Sequence, residues 1–194
     1  MMYDLIAIGG SWGGMNAVAR VLDELPEEVD EPIVVALHRA ADAPEGGLSS
    51  ILQHHIRRPV ADVEDKDAIE PQHVYLAPAD YHLLVERGSF ALSVDERVHY
   101  ARPSIDVLFE SAAQAYGAGV IGIILTGANE DGADGLAAIK EAGGVAIVQD
   151  PETSERRRMP DAAIAATSAD AVLTVDEIPR FLFGLCCSTA GTRA

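Results

Sequence analysis

The sequence predicts an α/β protein: a three-layer, mostly parallel, doubly wound sheet with an inserted antiparallel hairpin. Three observations carry that prediction. Short, continuous apolar runs recur at residues 5–9, 33–37, 74–77, 120–125 and 145–148. Amphipathic helical patterns separate several of them. One stretch, between Val74 and Val94, breaks the rhythm with two runs around a glycine turn. Strands apolar along their whole length are buried on both faces, so helices must cover the sheet above and below.

The elements follow in order. The run at 5–9 leads through a glycine-rich turn into a helical pattern at 16–25, with Val18, Val21, Leu22 and Leu25 on one face. Two further strands are expected at 33–37 and 74–77. His54 and His55 lie at a polar helix end beside Arg57 and Arg58 and read as surface. The hairpin pairs 82–86 with 90–94 across Arg87-Gly88-Ser89. Pro103-Ser104 is a helix start, and Ile105, Leu108, Phe109, Ala112, Ala115 and Tyr116 form the apolar face of a helix at 104–116. The strand at 120–125 precedes a third helix at 131–142, with Leu136, Ile139 and Ala142 inward and Gly143-Gly144 ending it. A last strand follows at 145–148. No repeat or linker divides residues 1–187, which read as one domain, and 188–194 read as a frayed tail.

Composition narrows the function. With 194 residues, 48% of them apolar, the chain can bury one sizeable core. Its apolar runs are too short to span a bilayer, and the start MMYDLIAIGGS lacks the basic segment of a signal peptide. Neither direct membrane insertion nor secretion is expected, and a cytoplasmic location is. Cys186 and Cys187 are adjacent, where they rarely pair, and read as reduced packing residues. A net charge of -17 opposes binding to nucleic acid. No spacing of histidine, cysteine and carboxylate suggests a metal, and no cofactor is expected.

The chemistry is sought at the carboxyl ends of the strands, where open parallel sheets gather their sites. After the first strand comes Gly9-Gly10-Ser11-Trp12-Gly13-Gly14, which fits a G-x-S-x-G nucleophile elbow. The same turn could cradle a phosphate, because glycines let a ligand approach the main chain and a helix begins there. After the second strand comes His38. After the strand at 120–125 comes Thr126-Gly127-Ala128-Asn129-Glu130-Asp131-Gly132. A nucleophile, a base and a carboxylate therefore sit at three strand ends, as a serine needing both general base and orienting acid requires. Each also has an ordinary explanation: a serine cap, a packing histidine, and an aspartate favoured at a helix start.

Several blocks, in order, give the chain a resemblance: IAIGGSWGG, VVALHR, VYLAPADYHLLV, RPSIDVLFESAA, GVIGIILTGANEDGADGL and MPDAAI. They resemble the catalytic domain of bacterial chemotaxis protein-glutamate methylesterases, the CheB type, from about Tyr3 to Arg180. The resemblance implies a Ser-His-Asp triad of Ser11, His38 and Asp131, with backbone amides at Trp12 and Ala128 holding the oxyanion. It implies hydrolysis of glutamate methyl esters on the helical region of a chemoreceptor, and deamidation of receptor glutamine by the same route. His82 lies in one of the blocks and is expected to line the cleft. The sequence departs from the family pattern at Gly10-Ser11-Trp12, at Ala128-Asn129-Glu130 and at Arg157-Arg158. No receiver domain is recognisable in it. These departures keep a rival open: a non-catalytic receptor-binding or regulatory module on the same fold. A nucleotide-binding domain is a weaker rival, because GGSWGG lacks a Walker lysine and Asp30-Glu31 precedes the second strand rather than ending it.

Overall fold

The structure, a computed structural model, describes residues 3–44 and 46–187. The expected frayed tail at 188–194 lies outside the described residues. The main sheet has seven strands: β1 (Leu5–Gly10), β2 (Ile33–Leu37), β3 (Val60–Asp62), β4 (Val74–Leu76), then, after the hairpin strands β5 (His82–Glu86) and β6 (Ser89–Ser93), β7 (Val120–Ile124), β8 (Val145–Gln149) and β9 (Ala171–Leu173). Their order is β3-β4-β2-β1-β7-β8-β9, and every pairing is parallel. The chain runs from β1 through β2 to the edge strand β3, steps back to β4 between them, then crosses to β7 on the other side of β1 and runs outward through β8 to β9. That reversal opens a crevice at the carboxyl ends of β1 and β7.

Two apolar layers sandwich the sheet, as strands buried on both faces require. On one face Leu5, Ala7, Val34 and Val148 pack against α3 (Ile105–Tyr116), α4 (Ala133–Glu141) and α5 (Arg158–Ala166) through Leu108, Phe109, Leu136 and Met159. The hairpin joins this layer through Leu83, Val85 and Phe90. On the other face Ile6, Ile8, Ile33 and Ile121 pack against α1 (Gly14–Asp23), α2 (Gly47–Gln53) and α6 (Ile178–Cys187) through Val18, Leu22, Leu52 and Leu182. Successive residues of β1 alternate between the two layers, as the period of two dictates. Among the described residues no helix is long and apolar enough to cross a membrane.

The glycines of the first turn have two separate reasons. A Cβ at Gly9 would fall 2.3 Å from Ile105 Cγ2, so this glycine admits α3 onto the sheet rather than a ligand. Gly13 has φ 77°, a left-handed conformation that glycine adopts without the cost other residues meet, and it lets the chain turn from β1 into α1.

Candidate active site

The extension of the sheet beyond its strands sets Ser11 and His38 side by side. The amide of Leu125 donates to Gly9 O at 2.9 Å, that of Ser11 to Thr126 O at 3.0 Å, and that of His38 to Gly10 O at 3.3 Å. Ser11 and His38 share the wall of a cavity of about 310 Å³, otherwise lined mainly by apolar residues including Met15, Leu37, Leu48 and Ile51. Among the described residues the Ser11 hydroxyl makes no hydrogen bond, so it is free for another partner. On its far side His38 borders a second, polar cavity of about 330 Å³ with Arg39, His99, Tyr100 and Asn129.

Asp131 meets His38 from β7. His38 Nε2 lies 2.6 Å from Asp131 Oδ2. The sequence allows Asp131 as the cap of the helix that follows it, but that cap is Gly132, and α4 begins at Ala133. The Asp131 carboxylate instead caps a different helix, α3, from across the crevice. Its Oδ2 accepts from Ile105 N at 2.8 Å, and its Oδ1 accepts from Ser104 Oγ at 2.8 Å and Asp106 N at 3.1 Å. The side chain is wholly buried. Burial works to raise its pKa, but the hydrogen bonds from His38, Ile105 and Ser104 outweigh burial and hold the carboxyl below its ordinary range. The positive end of α3 favours the same ionised state.

The three residues at the strand ends thus reach one place, with the His–Asp bond made. Trp12 directly follows Ser11, and Ala128 lies in the segment between β7 and Asp131. Neither amide donates a hydrogen bond among the described residues, and both residues are solvent-exposed. The Trp12 ring lies beneath the Arg156 guanidinium, 5.3 Å from ring centroid to Cζ. His82 departs from expectation. It is buried at the start of the hairpin rather than in the cleft, with Nδ1 accepting from Ser104 N at 3.2 Å and Nε2 donating to Glu96 O at 3.0 Å.

Several groups that shape the site escape sequence reasoning because their partners are remote in the chain. Thr126 is one. Its amide donates to the buried Gln149 side chain at 2.9 Å, and its hydroxyl accepts from Arg156 N at 2.9 Å. That hydroxyl proton lies within reach of Trp12 O at 3.0 Å and Arg156 O at 3.2 Å. Thr126 therefore ties the nucleophile turn to the segment before α5. Arg158 is the first residue of that helix. Asp106 is another. It is buried, accepts from Gly135 N at 2.7 Å, and faces His99 Nε2 at 3.4 Å. Burial pushes its carboxyl up to about 7, against the Gly135 hydrogen bond, and the charges of Asp131 and Asp134 push the same way. One ligand atom each from His99, Asp106 and Asp134 falls within a 4.8 Å cluster, a convergence that spacing along the chain does not show.

The site matches known proteins along nearly the whole chain. The family model for CheB methylesterase matches residues 6–182. This chain belongs to the CheB methylesterase family. It is therefore an esterase rather than an inert relative of one. A crystal structure of the Thermotoga maritima CheB methylesterase catalytic domain superposes with a TM-score of 0.87 at 32% identity, covering 95% of this chain and 100% of that one. A Leptospira interrogans protein is 46% identical over 186 residues, 95% of this chain and 96% of its own length. A protein-glutamate methylesterase/protein-glutamine glutaminase of Anaeromyxobacter dehalogenans is 41% identical over 179 residues, 92% of this chain and 52% of its own length.

Proposed function

We propose that this CheB-family esterase removes methyl groups from glutamate side chains of a chemoreceptor's helical region, with Ser11 as nucleophile, His38 as general base and Asp131 as its orienting carboxylate. The observation that carries the reading is the 2.6 Å bond between His38 Nε2 and the buried, multiply bonded Asp131, beside a serine whose hydroxyl has no partner among the described residues. Because Nε2 is engaged with Asp131, Nδ1 is the nitrogen left to take the serine proton. Ser11 Oγ bonds to the ester carbonyl carbon as its proton passes to His38. The tetrahedral oxyanion is held by the amides of Trp12 and Ala128, which have no acceptor among the described residues. His38 then protonates the methoxide and methanol leaves. Water, giving a proton to His38, attacks the acyl-enzyme, and the glutamate carboxylate departs as Ser11 regains its proton. Asp131 stabilises the imidazolium at each stage. A glutamine side chain offers the same carbonyl with ammonia as leaving group, in keeping with the glutaminase half of the Anaeromyxobacter protein's name.

The phosphate-loop reading of the turn loses support. The Glu155 carboxylate lies against Gly13, the residue before α1. Two like charges there would repel one another. Reaction with a fluorophosphonate tests the assignment, since an activated serine attacks its phosphorus and displaces fluoride, leaving a phosphonylated side chain. A single adduct on the Ser11 peptide, lost in His38→Ala, is expected. An unmodified chain, or an adduct elsewhere, rejects Ser11 as nucleophile.

A further inference from the structure

We propose that Ser104 is a positioning residue for the hydrolysis, fixing the carboxylate that orients His38. The proposal rests on the triad reading above and adds a residue to it. All four acceptor sites of the Asp131 carboxylate are occupied: Oδ2 by His38 Nε2 (2.6 Å) and Ile105 N (2.8 Å), Oδ1 by Ser104 Oγ (2.8 Å) and Asp106 N (3.1 Å). Turning the carboxylate about its bond would break several of these at once. The two bonds to Oδ1 are therefore what keep Oδ2 aimed at His38. Of the three donors besides His38, only Ser104 Oγ is a side chain. It is the one that can be removed without disturbing the main chain of α3.

Ser104 is also held from behind. It has no exposed surface, and its amide donates to His82 Nδ1 at 3.2 Å while His82 Nε2 donates to Glu96 O at 3.0 Å. Those two bonds require the neutral tautomer with its proton on Nε2. The buried His82 thus fixes the start of α3 against the segment after β6. An ordinary helix cap does not account for this arrangement. The capping bond from Val107 N to Ser104 Oγ is long, 3.4 Å, while the hydroxyl proton is directed to Asp131 at 2.8 Å.

A cap alone would affect folding and leave the chemistry untouched, so the test separates the two. Ser104→Ala and Ser104→Thr are compared with the unmodified chain for kcat and KM on methylated receptor. The His38 Nε2–H proton is followed in parallel by NMR, where a short bond to carboxylate moves it far downfield. Ser104→Ala is expected to lower kcat by about 10- to 100-fold, with KM within about twofold, as when an interaction used only in the transition state is lost. The downfield proton should broaden or vanish. Ser104→Thr, which keeps the hydroxyl, should restore the signal and most of kcat. An unchanged kcat and an unchanged signal in a folded Ser104→Ala protein would overturn the proposal. Should the unmodified chain fail to act on receptor, the substrate reading falls. The NMR comparison would still decide the role of Ser104.

Discussion

At the scale of single residues, two buried aspartates stand in opposite states. Asp131 lies close enough to raise the pKa of Asp106, yet their hydrogen bonds divide them. Asp131 receives four donors and stays ionised; Asp106 receives one from Gly135 and is pushed up to about 7 by burial and by its neighbours Asp131 and Asp134. Asp106 faces His99 Nε2 at 3.4 Å. A carboxyl whose folded pKa is raised contributes stability that is complete below its ordinary pKa and is lost as pH climbs through the folded value. Asp131, with its pKa depressed, contributes in the opposite sense: its stability is present above the ordinary value and is lost only in acid. Between about pH 5 and about pH 8 the Asp106 effect therefore dominates this pair. Asp106→Asn removes the titration while retaining an acceptor for Gly135 N. In urea titrations the stability of the unmodified chain relative to the variant should fall by on the order of 2 kcal/mol across that range. A difference that does not vary with pH would show that Asp106 is not held protonated in the folded protein.

At the scale of elements, the carboxylate cage depends on how closely α3 and α4 approach. Gly135 in α4 makes that approach possible. A Cβ there would lie 2.7 Å from Phe109 Cβ, 2.9 Å from Asp106 Cα and 3.0 Å from Asp106 O, and two of those three atoms are backbone. Gly135→Ala must push the helices apart at the point where α3 presents its first amides to Asp131. The expected cost is about 1–3 kcal/mol of stability, with a lower kcat, measured by denaturant unfolding and by turnover. A variant of unchanged stability and rate would show that the helix pair yields without opening the cage. The strong elements were legible because their patterns are local. The strands at the centre of the sheet are continuous apolar runs, and the hairpin announces itself through Arg87-Gly88. The elements left unread are those whose signal is weak or contradicted. β3 and β9 are three-residue edge strands, partly exposed. In α5 and α6 a proline argues against helix, yet Pro160 and Pro179 fall in the first turn, where a missing amide costs no hydrogen bond. The triad residues could be placed at strand ends from sequence. Their supports, Ser104, Thr126, Gln149 and His82, could not, because each makes its decisive bond to a residue more than twenty positions away.

At the scale of the whole molecule, charge sets the problem of substrate approach. A chain of net charge -17 would repel the glutamate-bearing receptor helix proposed as its substrate. The three arginines at 156–158 do not share the task of offsetting it. Arg157 is paired with Asp161 at 2.8 Å and Glu152 at 2.7 Å, and Arg158 with Glu130 at 3.2 Å. Arg156 forms no ion pair among the described residues and lies over Trp12, next to the nucleophile. Arg156→Ala should raise KM about 3- to 10-fold at low salt, less at higher salt, and leave kcat unchanged, since binding common to ground and transition states would be lost. Arg157→Ala and Arg158→Ala should change KM by less than about twofold. Equal effects at all three positions would replace local docking with a general effect of net charge. The central claim is that this fold hydrolyses receptor glutamyl methyl esters through Ser11. Its most direct test is methanol release from methylated receptor, with the unmodified chain and Ser11→Ala side by side. The account predicts steady release from the first and a fall of several orders of magnitude in the second, with unfolding stability changed by less than about 0.5 kcal/mol. Substantial release by a folded Ser11→Ala protein, or none by the unmodified chain, would contradict it.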